Sequence, residues 1–222
     1  MKTKYENIDF FQEYASTPKV LNYEKQRNIY TVYLFIKRIT DILFSLVGLI
    51  LTFPIILVVG LLIRLETPGP AFFKQERVGL NGKYFNVIKL RSMGVDAEKN
   101  GAMWAQKNDP RVTKIGSFIR KTRIDELPQL WNVLMGDMSL IGPRPERPTF
   151  TAQFNRDIPG FIDRVTVKPG ITGWAQINGG YDITPREKLE YDRYYIKNMN
   201  IFLDIKIILI TVKVCITGSG AR

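Results

Sequence analysis

Residues 42–63 read ILFSLVGLILTFPIILVVGLLI, an uncharged run in which 17 of 22 side chains are Leu, Ile, Val or Phe. As a helix it measures about 33 Å, close to the hydrocarbon thickness of a bilayer. Those side chains favour insertion by about 5–10 kcal/mol. A soluble core helix would carry a polar stripe, and this run has none, so it is read as a membrane segment. It starts too late, is too long and lacks a small-residue site before Glu66-Thr67-Pro68-Gly69-Pro70, which argues against a cleaved signal peptide. Lys37 and Arg38 precede it and Arg64 and Lys74 follow, so the basic flanks set no orientation. Pro54, near the middle, removes a helix hydrogen bond and bends the chain, and Thr52 is placed to satisfy a freed backbone group. On residues alone, a kinked spanning helix and a segment that enters and leaves on one side stand level.

Outward from this run, residues 1–33 are polar and rich in Tyr and Phe. They are read as short helices on the membrane surface or against the main domain. On the other side, Ala71–Val78 and Lys83–Leu90 read as strands joined through Asn81-Gly82. Helices are expected over 95–106, 114–122, 126–136, 149–158 and Pro185–Asn198. Three prolines between 142 and 148 forbid regular structure there. Ile201–Thr217 is apolar but carries Asp204, Lys206 and Lys213, which favours an interfacial or core-packed helix over a spanning one.

Composition narrows the chemistry. The chain of 222 residues has 32 Lys and Arg against 21 Asp and Glu, a net charge of +11, which points to an anionic partner. It has no histidine and one cysteine, Cys215. Imidazole bases, Ser-His-Asp triads, His or multi-Cys metal sites and intrachain disulfides are therefore excluded. Carboxylates, Lys, Arg and hydroxyls remain, with a hard oxygen-bound cation such as Mg²⁺ as the fitting metal.

Four clusters stand out. In Arg120-Lys121-Thr122-Arg123-Ile124-Asp125-Glu126-Leu127-Pro128-Gln129, Pro128 suits a first helical turn, which puts Asp125 at the N-cap. A carboxylate there, beside Arg120 and Arg123, is placed to attack phosphorus while Glu126 holds Mg²⁺; an ordinary helix cap is the plainer reading. Lys89 and Arg91 fall on one strand face, either to meet a diphosphate or simply to face solvent. Prolines flanking Arg144 and Arg147 stiffen an anion clamp, a merely structural Pro-rich loop being the alternative that would need no such arginines. Asp163-Arg164 with Lys168 to Gln176 reads as a nucleotide-pocket wall or, more simply, as a turn around a core Trp174.

In order and spacing these motifs resemble the bacterial sugar transferase family, the small monotopic phosphoglycosyl transferases. The matching residues are Lys37-Arg38 with Asp41, Lys89 to Met93, Arg120 with Asp125 to Gln129, Asn132 to Pro145, and Lys168 to Trp174. The resemblance covers about residues 34–217. It implies transfer of a sugar 1-phosphate from a UDP-sugar to undecaprenyl phosphate, releasing UMP, as the priming step of exopolysaccharide, capsule or other glycoconjugate synthesis. It further implies Asp125 as the nucleophile of a covalent phosphosugar intermediate and Glu126 as the Mg²⁺ ligand. Lys89, Arg91, Arg120, Arg144, Arg147 and Arg164 are then the substrate-binding cations.

The implied fold is α+β and mainly helical, with a short β-hairpin in a compact cytosolic domain and interfacial amphipathic helices. Its parts are an N-terminal extension (1–33), a re-entrant membrane helix-hairpin (34–66), a catalytic domain (67–200) and a C-terminal interfacial helix (201–222). The expected setting is the cytoplasmic face of a bacterial inner membrane, with the phospholipid bilayer as a partner and room for a homodimer. At Asn178-Gly179-Gly180 glycine stands where longer relatives often carry arginine, which leaves the sugar open. The competing class is a membrane-anchored nucleic-acid-binding or scaffold protein, which predicts salt-sensitive DNA binding and no need of Asp125. No helix-turn-helix or aromatic RNA-binding pattern accompanies the charge, so nucleic acid is not expected as a partner.

Overall fold

A computed structural model describes residues 27–99, 101, 103, 109–179 and 183–217. The expectations for residues 1–26, for most of the 95–106 helix and for Gly180 lie outside these residues; Val95–Lys99 form turns.

The apolar run belongs to one 40-residue helix, α1 (Arg27–Glu66), which contains Pro54. The boundary expected at residue 34 thus falls inside a helix. It is the one described helix long and apolar enough to cross a membrane, with a mean hydropathy of 3.0 over an 18-residue window. Its covered positions, Tyr33, Asp41, Ser45, Ile56, Val59 and Ile63, recur at helical spacing on a single stripe. Leu46, Val47, Ile50, Leu51 and Phe53 around the proline are exposed. Thr52 Oγ1 donates to the Gly48 carbonyl at 2.6 Å, not to that of Ile50, whose i+4 donor Pro54 removes.

The hairpin forms as read: β1 (Phe72–Val78) pairs antiparallel with β2 (Tyr84–Leu90), from Phe72 opposite Leu90 to Val78 opposite Tyr84. Asn81 (φ 54°) and Gly82 (φ 78°) make the turn, a left-handed pair that Asn and Gly adopt most readily. Next come α2 (Lys114–Lys121), a 3₁₀ turn (Ile124–Glu126), α3 (Gln129–Met135) and β3 (Ser139–Ile141). After the Pro-rich loop follow α4 (Pro148–Asp157), a 3₁₀ stretch (Phe161–Thr166), β4 (Gly170–Thr172), α5 (Trp174–Gly179), α6 (Pro185–Asn198) and α7 (Ile201–Thr217). β3 and β4 form a short parallel pair that periodicity did not reveal. Three-residue strands are too brief to display it.

The first half of α1 packs on α3, β3 and α7, and its second half on α2 and β2. Asp41 accepts from Leu140 N at 2.9 Å and Ser139 Oγ at 3.1 Å; Arg38 donates to the Val133 and Leu134 carbonyls at the C-terminal end of α3. Ile56, Val59 and Ile63 share a core with Leu90 and Ile119. Glu66, at the far end of α1, accepts from Lys114 N and Ile115 N and so caps α2. α7 is tied in by Asp204, which accepts from Tyr33 Oη (2.9 Å), Tyr195 Oη (2.9 Å) and Lys37 Nζ (2.8 Å). The charge that argued against a spanning α7 is thus a buried, saturated junction.

Candidate active site

α3 carries the Asp-Glu turn at its start, and Asn132 sews that helix to the hairpin. Its amide donates to the Asn86 carbonyl at 2.8 Å and accepts from Ile88 N at 3.1 Å, acting as a surrogate strand along β2. Lys89, next along the strand, is thereby brought to Glu126. Asp125 does not cap an α-helix as the proline suggested. It lies in a 3₁₀ turn entered through Arg123, whose φ of 58° is left-handed, and the α ladder begins only at Gln129. Pro128 still occupies a place where no N–H donor is needed.

Both oxygens of Glu126 are engaged, and a lone pair on Oε2 is left over. Lys89 Nζ donates to Oε1 at 2.9 Å, Arg144 Nη1 donates to Oε2 at 3.2 Å, and Arg144 Nη2 also bonds Oε1. Burial opposes its ionisation, but Arg144 and Lys89 hold its carboxyl well below the usual range. Asp125, 8% exposed, receives no hydrogen bond from a described residue. Burial and then the adjacent Glu126 push it up to about 6, against the pull of Lys89, Arg144 and Arg120. Neighbouring carboxyls are therefore driven apart, one permanently anionic and one poised near neutrality.

Both line a cavity of about 390 Å³, together with Lys89, Arg91, Arg120, Arg144 and Arg147. Of the cations expected at the site, Arg164 lies outside this cavity. It makes a buried pair with Asp192 at 2.6 Å and donates to the Arg144 carbonyl at 2.8 Å, so its guanidinium braces the loop that carries Arg144. Arg91 touches the cavity, but its guanidinium binds the carbonyls of Thr67 (2.8 Å), Pro68 (2.6 Å) and Ile63 (3.4 Å), latching the end of α1 to β2. Arg120, in the last turn of α2, makes no ion pair among the described residues. Arg147 pairs with Glu98.

The Pro-rich loop is held by its own backbone. The carbonyl of Pro143 accepts from Gly170 N (3.0 Å), that of Arg144 from Arg164, that of Pro145 from Arg77 (3.0 Å), and that of Glu146 from Val78 N (2.9 Å). A Cβ on Gly142 would come within 2.3 Å of the Lys168 carbonyl, so only glycine lets the loop cross β4 here. Sequence reading missed Arg77 and Glu146, a pair 3.7 Å apart at the cavity wall. Alternation on β1 held the signal, since Phe73, Gln75 and Arg77 share the Lys89 face of the hairpin. Trp174 is a packing residue, stacked 5.2 Å from Tyr194, yet Ala175 and Gln176 beside it do reach the cavity.

The family model for bacterial sugar transferases matches residues 32–218. The chain is 51% identical over 195 residues to a UDP-N-acetylgalactosamine-undecaprenyl-phosphate N-acetylgalactosaminephosphotransferase of Aeromonas hydrophila, covering 86% of this chain and 46% of that one. Against a UDP-glucose:undecaprenyl-phosphate glucose-1-phosphate transferase of Escherichia coli the identity is 43% over 182 residues, 80% of this chain and 39% of that one. An uncharacterized sugar transferase of Bacillus subtilis is 42% identical over 193 residues, with 91% of its length covered. The chain thus spans less than half of the first two relatives and nearly all of the third.

Proposed function

The chain belongs to the bacterial sugar transferase family, and from that premise we propose that it moves a sugar 1-phosphate from a UDP-sugar to undecaprenyl phosphate and releases UMP. The names of its Aeromonas and Escherichia relatives support the reaction class. The observation that carries the reading is the unequal pair of carboxyls: Glu126 is paired with two cations while Asp125, its neighbour, is unclaimed and faces the same cation-lined cavity.

In this reading the Asp125 carboxylate attacks the phosphorus that bears the sugar. A carboxylate–phosphorus bond forms, the bond from that phosphorus to the bridging oxygen breaks, and the oxygen leaves with UMP. An oxygen of undecaprenyl phosphate then attacks the same phosphorus and regenerates the free Asp125. The acceptor is already anionic, so no base stronger than a carboxylate is required, consistent with a chain lacking histidine. Arg120 and Arg144 stabilise charge on the transferring group, with Lys89 beside them. Because Arg144 and Lys89 hold Glu126 ionised, the second negative charge raises Asp125's proton affinity and hence its basicity as a nucleophile.

No group of three or more acidic, His or Cys side chains gathers among the described residues. Mg²⁺ commonly binds through one or two carboxylates plus substrate phosphates. The Asp-Glu pair therefore fits an ion arriving with the diphosphate, held by Glu126 through its remaining lone pair. Such an ion would neutralise phosphate charge. The cations that suggested nucleic acid converge instead on the cavity that holds Asp125 and Glu126, which suits a diphosphate.

The membrane part is read as re-entrant. Tyr33, near the start of α1, bonds Asp204, and Glu66 at its end caps α2, so both ends of a 40-residue helix meet one compact body. A helix crossing a bilayer would put those ends on opposite faces about 45 Å apart. Bending at Pro54 lets the exposed apolar middle dip into one leaflet and return, with the catalytic body on the cytoplasmic face of the inner membrane. Supplying the detergent-solubilised protein with undecaprenyl phosphate, Mg²⁺ and a panel of UDP-sugars tests the reaction. UMP, with a sugar-phosphate mass adduct on Asp125, is expected. UDP in its place would mean a plain glycosyltransferase and refute the proposal.

A further inference from the structure

The cavity also holds polar atoms that phosphate transfer does not use. Both amide atoms of Gln176, Oε1 and Nε2, are buried without a hydrogen-bond partner. Nη1 of Arg147 is in the same condition, its Nη2 being held by Glu98. Both residues line the cavity that contains Asp125, as does Phe150, whose ring centre lies 5.9 Å from the Arg147 guanidinium. Buried polar atoms left unpaired destabilise a fold. Four such atoms sit on residues lining this cavity; one, Nε of Arg91, belongs to the guanidinium that latches α1, and the three on Gln176 and Arg147 mark a place where a ligand supplies the partners.

The chemistry of the set selects that ligand. An oxyanion calls for cations, which Arg77, Lys89, Arg120 and Arg144 already bring to the cavity. A carboxamide instead offers a donor and an acceptor side by side in one plane. That pattern complements a ring in which N–H and C=O lie side by side, the imide edge of uracil. It does not complement an acetamido group, whose trans amide turns its N–H and C=O to opposite sides. Arg147 Nη1 adds a donor for a base oxygen, and an aromatic ring supplies a stacking surface.

We propose that Gln176, Arg147 and Phe150 form a pyrimidine subsite in which the Gln176 amide reads the uracil imide of the donor nucleotide. The donor's identity rests on the transferase reading, but base recognition is tested by binding without turnover. The full chain in detergent is titrated calorimetrically with UMP and, separately, with inorganic pyrophosphate. Gln176→Leu, which keeps the volume, is expected to weaken UMP about 10-fold and to leave pyrophosphate unchanged. Gln176→Glu is expected to act in the same direction, because a carboxylate cannot donate to the base oxygen. Equal losses for UMP and pyrophosphate would make Gln176 a general support of the cavity and overturn the proposal. Unaltered UMP binding would overturn it too, and with a raised KM for the UDP-sugar would assign Gln176 to the sugar. Gln176-dependent UMP binding in a protein that releases UMP from no donor would uphold the subsite while refuting the transferase reading.

Discussion

Asp125→Asn should yield a protein that is inactive in transfer yet more stable than the wild type at neutral pH. The Asp125 carboxyl is buried, sits beside an ionised Glu126 and is held by no hydrogen bond from a described residue, which pushes it from an ordinary 3.8 up to about 6. The folded chain therefore holds this proton more tightly than the unfolded chain does. The associated stability is fully present below pH 3.8 and is lost as pH rises through 6. A shift of roughly two units corresponds to about 3 kcal/mol at neutral pH. Asn is neutral at every pH and never incurs that loss. For a chain of this size 1 kcal/mol moves Tm by about 2–4 °C, so the gain should be about 6–12 °C above pH 7 and shrink to a small fraction near pH 4. Thermal unfolding of both proteins in one detergent at pH 4, 5.5 and 7.5 measures it. An Asn variant no more stable than wild type at pH 7.5, or a gain independent of pH, would refute the account of an electrostatically strained nucleophile.

Arg144→Met removes two hydrogen bonds from a buried carboxylate and should cost about 3–5 kcal/mol, with UMP release lost; Tm and turnover on the same sample check both. Asp192→Ala leaves Arg164 buried and unpaired and should also cost about 3–5 kcal/mol, whereas replacing both by apolar residues should cost less; unfolding of the single and double variants measures the difference. Asp204→Leu removes the shared acceptor of Tyr33, Tyr195 and Lys37, leaving Tyr195 only the longer bond to the Ile141 carbonyl, so α7 should become cleavable by protease under conditions where the wild type resists, as limited proteolysis with mass mapping would show. The pH–rate profile of UMP release should fall about tenfold per unit below pH 6, following Asp125 protonation; an acid limb near pH 4 would contradict it.

Legibility followed sequence distance. The hairpin was readable because alternation and an Asn-Gly turn act within neighbouring residues, and Pro185–Asn198 was readable to its ends because Thr184 and Glu187 close a capping box locally. The Asp-Glu motif was visible, but its turn was misplaced: Pro128 marks a helical start without showing that a left-handed Arg123 leads into a 3₁₀ turn ahead of it. Arg91 and Arg164 were visible as cations and expected at the substrate, but the partners that hold their guanidinium groups in the fold were not visible. Those partners, the carbonyls at the end of α1 and the carboxylate of Asp192, lie 23 to 28 residues away in either direction. A guanidinium serves a phosphate or a carbonyl equally well, and only the fold chooses between them.

Composition and local pattern by themselves determined that this protein is basic, without histidine chemistry, built around one long apolar helix, and equipped with an Asp-Glu pair followed by a proline-stiffened arginine loop. These properties depend on residue type and short-range geometry, which the chain carries wherever it goes. Tertiary structure decided which carboxyl is paired with cations and which is not, which arginines face the cavity and which hold the scaffold, and that both ends of the apolar helix return to one body. Each of those outcomes depends on burial and on charges brought together from distant parts of the chain, and neither exists until the core has closed.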